Sequence, residues 1–162
     1  MKKVITILIL FSSILTYSQK SQKKNAGNYA YEVECMGIEM DGSVTVKAFG
    51  KGRNRADAVE QAKKEAINTI LFKGLKNGRS ECGIVPLLNE PNIREKKEEY
   101  FNLFFKDNGE YQKYVSNADE SLFKKEKLKA RDGDVVFGFI IRVQKSELKS
   151  KLITDNILIK KN

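Results

Sequence analysis

The sequence predicts an α+β domain in which two antiparallel β-hairpins, at residues 30–50 and 121–144, form one small sheet. A long helix at residues 54–75 is expected to pack across one face of that sheet. Two observations lead to this prediction. Apolar and polar residues alternate with a period of two on the strands of the first hairpin, and an Asp-Gly turn lies in each hairpin, at Asp41-Gly42 and Asp132-Gly133. Between the hairpins, alanine and aliphatic residues recur at the spacing of an amphipathic helix.

The first hairpin is predicted from two alternating runs of residues. Apolar residues up to Cys35 alternate with acids ahead of a turn at Asp41-Gly42, and a second run alternates from Val44 to Ala48. Asp-Gly is a strong hairpin signal because both residue types tolerate a positive φ. The second strand is expected to end in Gly50-Lys51-Gly52.

The helix at residues 54–75 is expected to start at Asn54, which can cap the first turn with Asp57 three residues later. Its buried face is predicted to consist of Ala58, Val59, Ala62, Ala66, Ile67, Ile70 and Leu71. The alanine row allows the helix to lie close to the sheet. The helix is expected to end near Gly74 or at Asn77-Gly78.

The rest of the chain is predicted from weaker patterns. Residues 77–91 contain glycine and proline without periodicity and predict a loop. Its aliphatic side chains are expected to cover the core, and the alternative is that they form an exposed apolar surface. A helical region at 92–116 opens with asparagine and glutamate at capping spacing. Residues 135–143 are almost continuously apolar and predict a central, buried strand. A short final helix is expected over about 146–153.

The first 18 residues have the composition of a secretory signal peptide. Lys2 and Lys3 precede an apolar run at 4–15, and small residues lie before a cleavage site that leaves Gln19 first. An uncut run would instead tether the protein to the membrane. The expected organisation is a signal peptide at 1–18, a mobile polar tail at 19–29, a single domain at 30–154 and a C-terminal tail at 155–162. The mature protein is expected to be periplasmic or secreted, without a lipid anchor.

The chain has two cysteines, Cys35 and Cys82. In an oxidising compartment such a pair can form one disulfide. Two buried free thiols are the alternative that the sequence leaves open.

The charge and the absence of histidine restrict the function classes. The chain carries 30 Lys+Arg, 21 Asp+Glu and no histidine, so the commonest general base and the commonest zinc ligand are missing. We predict no enzyme, no catalytic residue, no metal site and no cofactor. For an exported basic protein, anionic polysaccharide and lipid head groups are the natural anionic partners, and nucleic acid is not expected. Dispersed lysines also simply solvate a surface.

Six residues are candidates for contact with an anion or a partner: Lys51, Arg53, Arg55, Tyr100, Tyr111 and Tyr114. The three cations flank the start of the helix at 54–75, where free backbone N–H groups can hold an anion. The remainder of a phosphate-loop motif is missing, so a plain strand-to-helix turn is the favoured interpretation. The tyrosines belong to an aromatic cluster at 100–114, whose phenylalanines have the spacing of a buried helix face.

The segment from Val44 to Gly52, followed by Ala58, Ala62 and Ala66, resembles the N-terminal domain of the flagellar assembly protein FlgT and related small bacterial envelope lipoproteins, over residues 43–72. In that group a strand ending in Gly-x-Gly leads into an alanine-rich helix on a small antiparallel sheet. Its members are mostly structural or assembly components of the envelope. This chain differs from them because it lacks the lipid-bearing cysteine.

Together with the signal peptide, this resemblance implies an exported bacterial envelope protein of non-catalytic type. Its expected activity is protein–protein contact in envelope or surface assembly, with another envelope protein as the partner. The alternative is a binding module for an anionic envelope polymer or lipid head group, through a lysine-rich face. The sequence leaves the oligomeric state open.

Overall fold

The computed structural model describes residues 32–118, 127–129 and 135–159, and the following account concerns these residues. They form a six-stranded mixed sheet with helices, which confirms the predicted α+β class. The strands are β1 (Glu34–Ile38), β2 (Val44–Gly52), β3 (Asn77–Gly78), β4 (Val115–Asn117), β5 (Lys127–Lys129) and β6 (Val135–Val143). The α-helices are α1 (Arg55–Asn68), α2 (Ile93–Lys96), α3 (Glu98–Phe104) and α4 (Lys145–Thr154).

The strands lie in the order β3-β1-β2-β6-β4, and β5 also pairs with β6. β2 and β6 are antiparallel over nine residue pairs, from Val44 opposite Val143 to Gly52 opposite Val135. β4 and β5 pair with the two ends of the other edge of β6. The predicted hairpins therefore form one sheet with β6 at its centre, as expected. The Asp-Gly turn predicted for the second hairpin lies outside the described residues.

One face of the sheet forms the core together with α1. The inward side chains of β2 and β6 are almost completely buried: Val44, Val46, Ala48, Phe139, Ile141 and Val143. They pack against the alanine row of α1, whose members Ala58, Ala62 and Ala66 have no exposed surface. Burial of this apolar surface is the main stabilising contribution to the fold.

The start of α1 is capped as predicted. The Asn54 side chain accepts a hydrogen bond of 3.0 Å from the Asp57 N–H. Helical conformation continues to Lys73, but its last five residues, Thr69–Lys73, form a π-helical turn. The turn is closed by a 2.7 Å bond from the Gly74 N–H to the Thr69 carbonyl. The side-chain spacing does not distinguish this turn from an α-helical one.

Two glycines at the end of β2 allow α1 to begin directly on the sheet. A Cβ at Gly50 would lie 1.7 Å from the Ala58 carbonyl oxygen, and one at Gly52 would lie 2.7 Å from the Ala58 nitrogen. Only glycine fits where two backbones approach so closely. The close approach accounts for the Gly-Lys-Gly segment as a strand-to-helix junction.

The region after the loop differs from the prediction. Asn92 lies at the N-cap position directly before α2, as predicted, but its backbone is in the left-handed region with φ 58° and its side chain makes no capping bond. An N-cap side chain typically reaches the first turn from an extended backbone, so the predicted start of the helix is confirmed and the predicted side-chain bond is absent. The helix is also interrupted at Lys97, which separates α2 from α3. A 3-10 turn at Glu110–Tyr114 then leads into β4.

The loop and the last helix cover the remaining core. Ile84 and Leu88 are buried as expected of the apolar loop, whereas Val85 is 79 % exposed. The final helix, α4, matches the predicted 146–153 closely, and its Leu148 and Leu152 are fully buried. Among the described residues, no helix has the length and apolar character needed to cross a membrane.

Candidate functional site

The six predicted contact residues lie in two places. Lys51, Arg53 and Arg55 lie at the junction of β2 and α1. The three tyrosines lie on α3 and on the 3-10 turn at Glu110–Tyr114. The predicted residues therefore form two separate groups, one of cations and one of tyrosines.

The junction of β2 and α1 is already stabilised by its own residues. The Arg55 guanidinium lies 5.7 Å from the Phe137 ring centroid and 5.1 Å from that of Phe139, which are cation–π distances. The Asp57 carboxylate stands in the first turn of α1, where a negative charge complements the helix dipole. That carboxylate would repel a second anion. The geometry therefore gives little support to an anion site here.

Tyr111 holds the 3-10 turn against α1. Its side chain is fully buried, and its hydroxyl donates a hydrogen bond of 2.6 Å to Glu60 Oε2. The Gln112 side chain donates to the same oxygen at 2.9 Å. Burial and the hydrogen bond to Glu60 raise the pKa of Tyr111 to about 12. The Tyr111 ring is thus a packed element of the fold.

Tyr100 and Tyr114 flank Phe104 and lie beside α4. Their rings are stacked on the Phe104 ring with centroid distances of 6.0 and 6.3 Å. The Tyr100 hydroxyl donates to Asp155 at 2.7 Å. A shallow groove of about 450 Å³ runs along α4 and is lined by Tyr114, Ser146, Glu147, Ser150, Lys151 and Thr154. We call this the α4 groove.

The ionisable groups of the α4 groove are poorly suited to proton transfer. Lys151 pairs with Asp155 at 3.1 Å and with Glu110 at 3.2 Å. Hydrogen bonds to these two carboxylates raise the Lys151 pKa, which keeps the amine protonated. Burial and the proximity of Glu110 raise the pKa of the Tyr114 phenol. A general base or nucleophile requires a shift in the other direction. The groove offers hydrogen bonds and aromatic surface.

The turn between β1 and β2 presents apolar side chains that the sequence reasoning did not select. We call residues 38–43 the hairpin tip. Met40 is fully exposed and Ile38 is 48 % exposed. Neither position stands out in the sequence, because a lone methionine between acids resembles an ordinary turn residue. Its exposure follows from the tertiary structure.

Three hydrogen bonds within the hairpin tip close its turn. The Gly42 N–H donates to the Glu39 carbonyl at 3.0 Å, and the Glu39 N–H donates to the Ser43 carbonyl at 2.9 Å. The Ser43 N–H donates to Asp41 Oδ1 at 2.8 Å. Gly42 has φ 78°, a conformation that favours glycine.

The hairpin tip is also fixed from outside the turn. The Glu39 carboxylate accepts a bond of 3.0 Å from the Thr45 hydroxyl and lies 3.4 Å from the Arg142 guanidinium. A Cβ at Gly42 would lie 2.2 Å from the Ser146 hydroxyl, so the turn is packed on the start of α4. Because Ser146 also lines the α4 groove, the tip and the groove adjoin.

Cys35 and Cys82 form a disulfide, with the two Cα atoms 5.9 Å apart. Both residues are buried, at 1 % and 2 % exposure. This confirms the pairing and excludes the alternative of two free thiols. Among the described residues, no three Cys, Asp or Glu side chains are grouped as a metal site would require.

Comparison with protein-family models, with curated proteins and with solved structures finds no match to this chain.

Proposed function

We propose that this chain is an exported bacterial envelope protein of non-catalytic type that acts by contact with another protein, and that the hairpin tip makes this contact. The observation that carries the proposal is the rigid presentation of Met40 and Ile38 at a turn held by hydrogen bonds on both sides. Aliphatic and thioether side chains gain free energy when a partner buries them. For a methionine the gain is roughly 1.5–3 kcal/mol.

The rigidity of the hairpin tip favours binding because little conformational entropy is lost there. A flexible loop loses conformational entropy when it becomes ordered at an interface, and this loss weakens binding. A turn that is already ordered avoids most of that loss. The adjoining α4 groove supplies hydroxyl groups and the Tyr114 ring, which suit the polar rim of a protein interface. These features favour a protein partner over a polymer held mainly by charge.

Export is supported by two independent features of the chain. The first 18 residues have signal-peptide composition. Cys35 and Cys82 are bonded, and disulfides persist in oxidising compartments outside the cytoplasm. The resemblance of residues 43–72 to envelope assembly proteins is consistent with this location.

Site-specific photo-crosslinking tests the proposed contact. A photoreactive residue in place of Met40, in the full chain in its native cells, should give one defined crosslinked protein in the envelope fraction. The same residue at Leu103, which is 63 % exposed on α3, is the matched control and should not. The substitution Met40→Glu should abolish capture of the identified partner at unchanged stability. Equal crosslinking from both positions, or none from Met40, would contradict the proposal.

The salt dependence of binding separates the protein partner from the anionic polymer. Retention of the purified protein on vesicles containing anionic lipid, or on an anionic polysaccharide, would collapse between low and high salt if charge drives binding. The double variant Lys51→Ala/Arg53→Ala and the variant Met40→Glu distinguish the two functions. If the double variant abolishes retention and Met40→Glu does not, the protein binds an anionic polymer or lipid and the proposed protein contact is wrong. Binding of the crosslinked partner should persist at high salt.

Sequencing the mature N-terminus tests export directly. We expect Gln19 as the first residue, because small residues precede it at the cleavage positions. A mature chain that still begins with Met1 would show an uncut apolar segment and contradict the cleaved form.

A further inference from the structure

The outer edge of β1 is covered by one short, exposed segment. We call residues 76–82 the edge strap; it contains β3 and the 3-10 turn Ser80–Cys82. β3 pairs with β1 through only two residues, Asn77 opposite Glu34 and Gly78 opposite Cys35. An uncovered strand edge presents unpaired backbone groups that other strands can join. The edge strap therefore protects β1.

The contacts that attach the edge strap converge on β1 and the residues just before it. The Arg79 N–H donates to the Cys35 carbonyl at 3.1 Å. The Asn77 side chain contacts the Glu32 carboxylate. A Cβ at Gly78 would lie 2.1 Å from the Cys35 carbonyl oxygen, so the two backbones touch closely. The covalent contact is the disulfide from Cys82 to Cys35.

Apolar burial contributes almost nothing to the attachment of the edge strap. Every residue from Lys76 to Glu81 is exposed, and Cys82 is the one buried member. The ion pair between Arg79 and Glu81, at 3.7 Å, joins two side chains that are more than 60 % exposed, at 66 % and 62 %. Both residues belong to the strap, so this pair does not attach it to β1, and such exposed pairs stabilise little. The disulfide is therefore the principal attachment.

The base of the same loop is held independently of the disulfide. Leu75 and Ile84 flank the edge strap, are 2 % and 7 % exposed, and belong to the core. The Leu75 N–H donates to the Ile84 carbonyl at 2.8 Å. Further on, the Leu88 N–H donates to the Leu71 carbonyl at 2.9 Å. These contacts do not involve either cysteine.

We propose that the Cys35–Cys82 bond is a redox-sensitive latch that keeps the edge strap on β1, and that opening the bond frees the strap while the core remains folded. The opening step is thiol–disulfide exchange with a dithiol reductant, which reaches the buried sulfur atoms of Cys35 and Cys82 when the exposed residues of the strap detach transiently from β1. The reductant passes through a mixed disulfide, supplies two electrons and two protons, and ends as its own disulfide, while Cys35 and Cys82 become thiols. Closing is the reverse exchange, in which a disulfide-bearing oxidant accepts two electrons and two protons from Cys35 and Cys82 and ends as a dithiol. The hairpin tip lies at the other end of β1, so this latch is independent of the proposed contact.

Amide hydrogen exchange on the full mature chain tests the latch. After complete reduction, verified by alkylation of both thiols, the opening free energy of the Arg79 amide should fall below the global free energy of unfolding of the reduced protein, with exchange at least about tenfold faster than global unfolding alone would give. The opening free energies of the Leu75 and Leu88 amides should stay close to that global value, which urea denaturation of the same sample measures. The variant Cys82→Ala should behave like the reduced protein, and Ser80→Ala, in the same strap with the bond intact, should behave like the oxidised one.

Two results would overturn the latch. Arg79 protection that survives complete reduction would show that the strap is held without the bond. Equal opening free energies at Arg79, Leu75 and Leu88 in the reduced protein would show that the strap opens only when the whole domain unfolds.

Discussion

Glu60 is the residue through which α1 and the 3-10 turn at Glu110–Tyr114 are joined. Its carboxylate accepts hydrogen bonds from Tyr111 at 2.6 Å, Gln112 at 2.9 Å and Lys63 at 2.9 Å. Burial raises the pKa of Glu60, but the three hydrogen bonds outweigh it, and the pKa lies below its ordinary value. An ionised carboxylate and a neutral phenol therefore coexist over a wide pH range.

Replacing Tyr111 by phenylalanine should lower the free energy of unfolding by about 1.5 kcal/mol, since a hydrogen bond to a charged group is lost and the ring is kept. Urea denaturation at neutral pH measures this loss. In a Glu60→Gln background the same change should cost clearly less, because the charged acceptor is already absent. An equal loss in both backgrounds would show that the Tyr111–Glu60 bond does not stabilise the fold.

Glu60 should also make the folded state sensitive to acid. In the unfolded chain the Glu60 carboxylate binds a proton near its ordinary pKa of 4.5. In the folded chain its pKa is lower, so the carboxylate stays ionised to a lower pH. The contribution of Glu60 is therefore present above that value and is lost as the pH falls through the folded pKa. Between about pH 5 and pH 3, urea denaturation should show a steeper loss of stability for the native chain than for Glu60→Gln. Parallel curves would contradict the lowered pKa.

Among the elements, those with regular local patterns were predictable from the sequence. Alternation located β1 and β2, a nearly continuous apolar run located β6, and helical spacing located α1. Ser146 with Glu147 located the start of α4. Each of these patterns lies within a single element. β3 and β4, at two and three residues, have no such pattern and exist because neighbouring strands pair with them. The break at Lys97 and the π-helical turn likewise depend on tertiary packing.

Gly50→Ala tests the closest contact between elements, that of β2 with α1. The added methyl group would lie 1.7 Å from the Ala58 carbonyl oxygen, a backbone atom that can move only if α1 moves. We expect a loss of about 3 kcal/mol in the free energy of unfolding, as for a strongly overpacked core site. Gly83→Ala is the matched control, since a Cβ there meets nothing within 4 Å. Equal unfolding midpoints for the two variants would contradict this packing.

Across the whole molecule, the sequence indicated which side chains belong to the core and the disulfide better than it indicated which side chains are exposed together on the surface. The cysteine count and the expected compartment permitted a disulfide without excluding two free thiols, and spacing indicated the aromatic cluster. The hairpin tip was missed because nothing in the local pattern around Met40 indicates that its side chain is fully exposed. Lys51, Arg53 and Arg55 were selected from position alone, which does not show that Arg55 lies over Phe137 and Phe139. Contacts between distant segments decide such surfaces.

The disulfide should stabilise the whole molecule in addition to latching the edge strap. The bond joins residues 47 positions apart. In the chain-entropy model this cross-link restricts the unfolded chain, so removing it should lower the free energy of unfolding by about 4 kcal/mol. The variant Cys35→Ala/Cys82→Ala should therefore unfold at lower urea concentration, in a single cooperative transition. Its dependence on urea should be steeper, because an uncrosslinked unfolded chain exposes more surface. Ser80→Ala should match the native chain. Unchanged stability and slope in the double variant would show that the cross-link does not restrict the unfolded state.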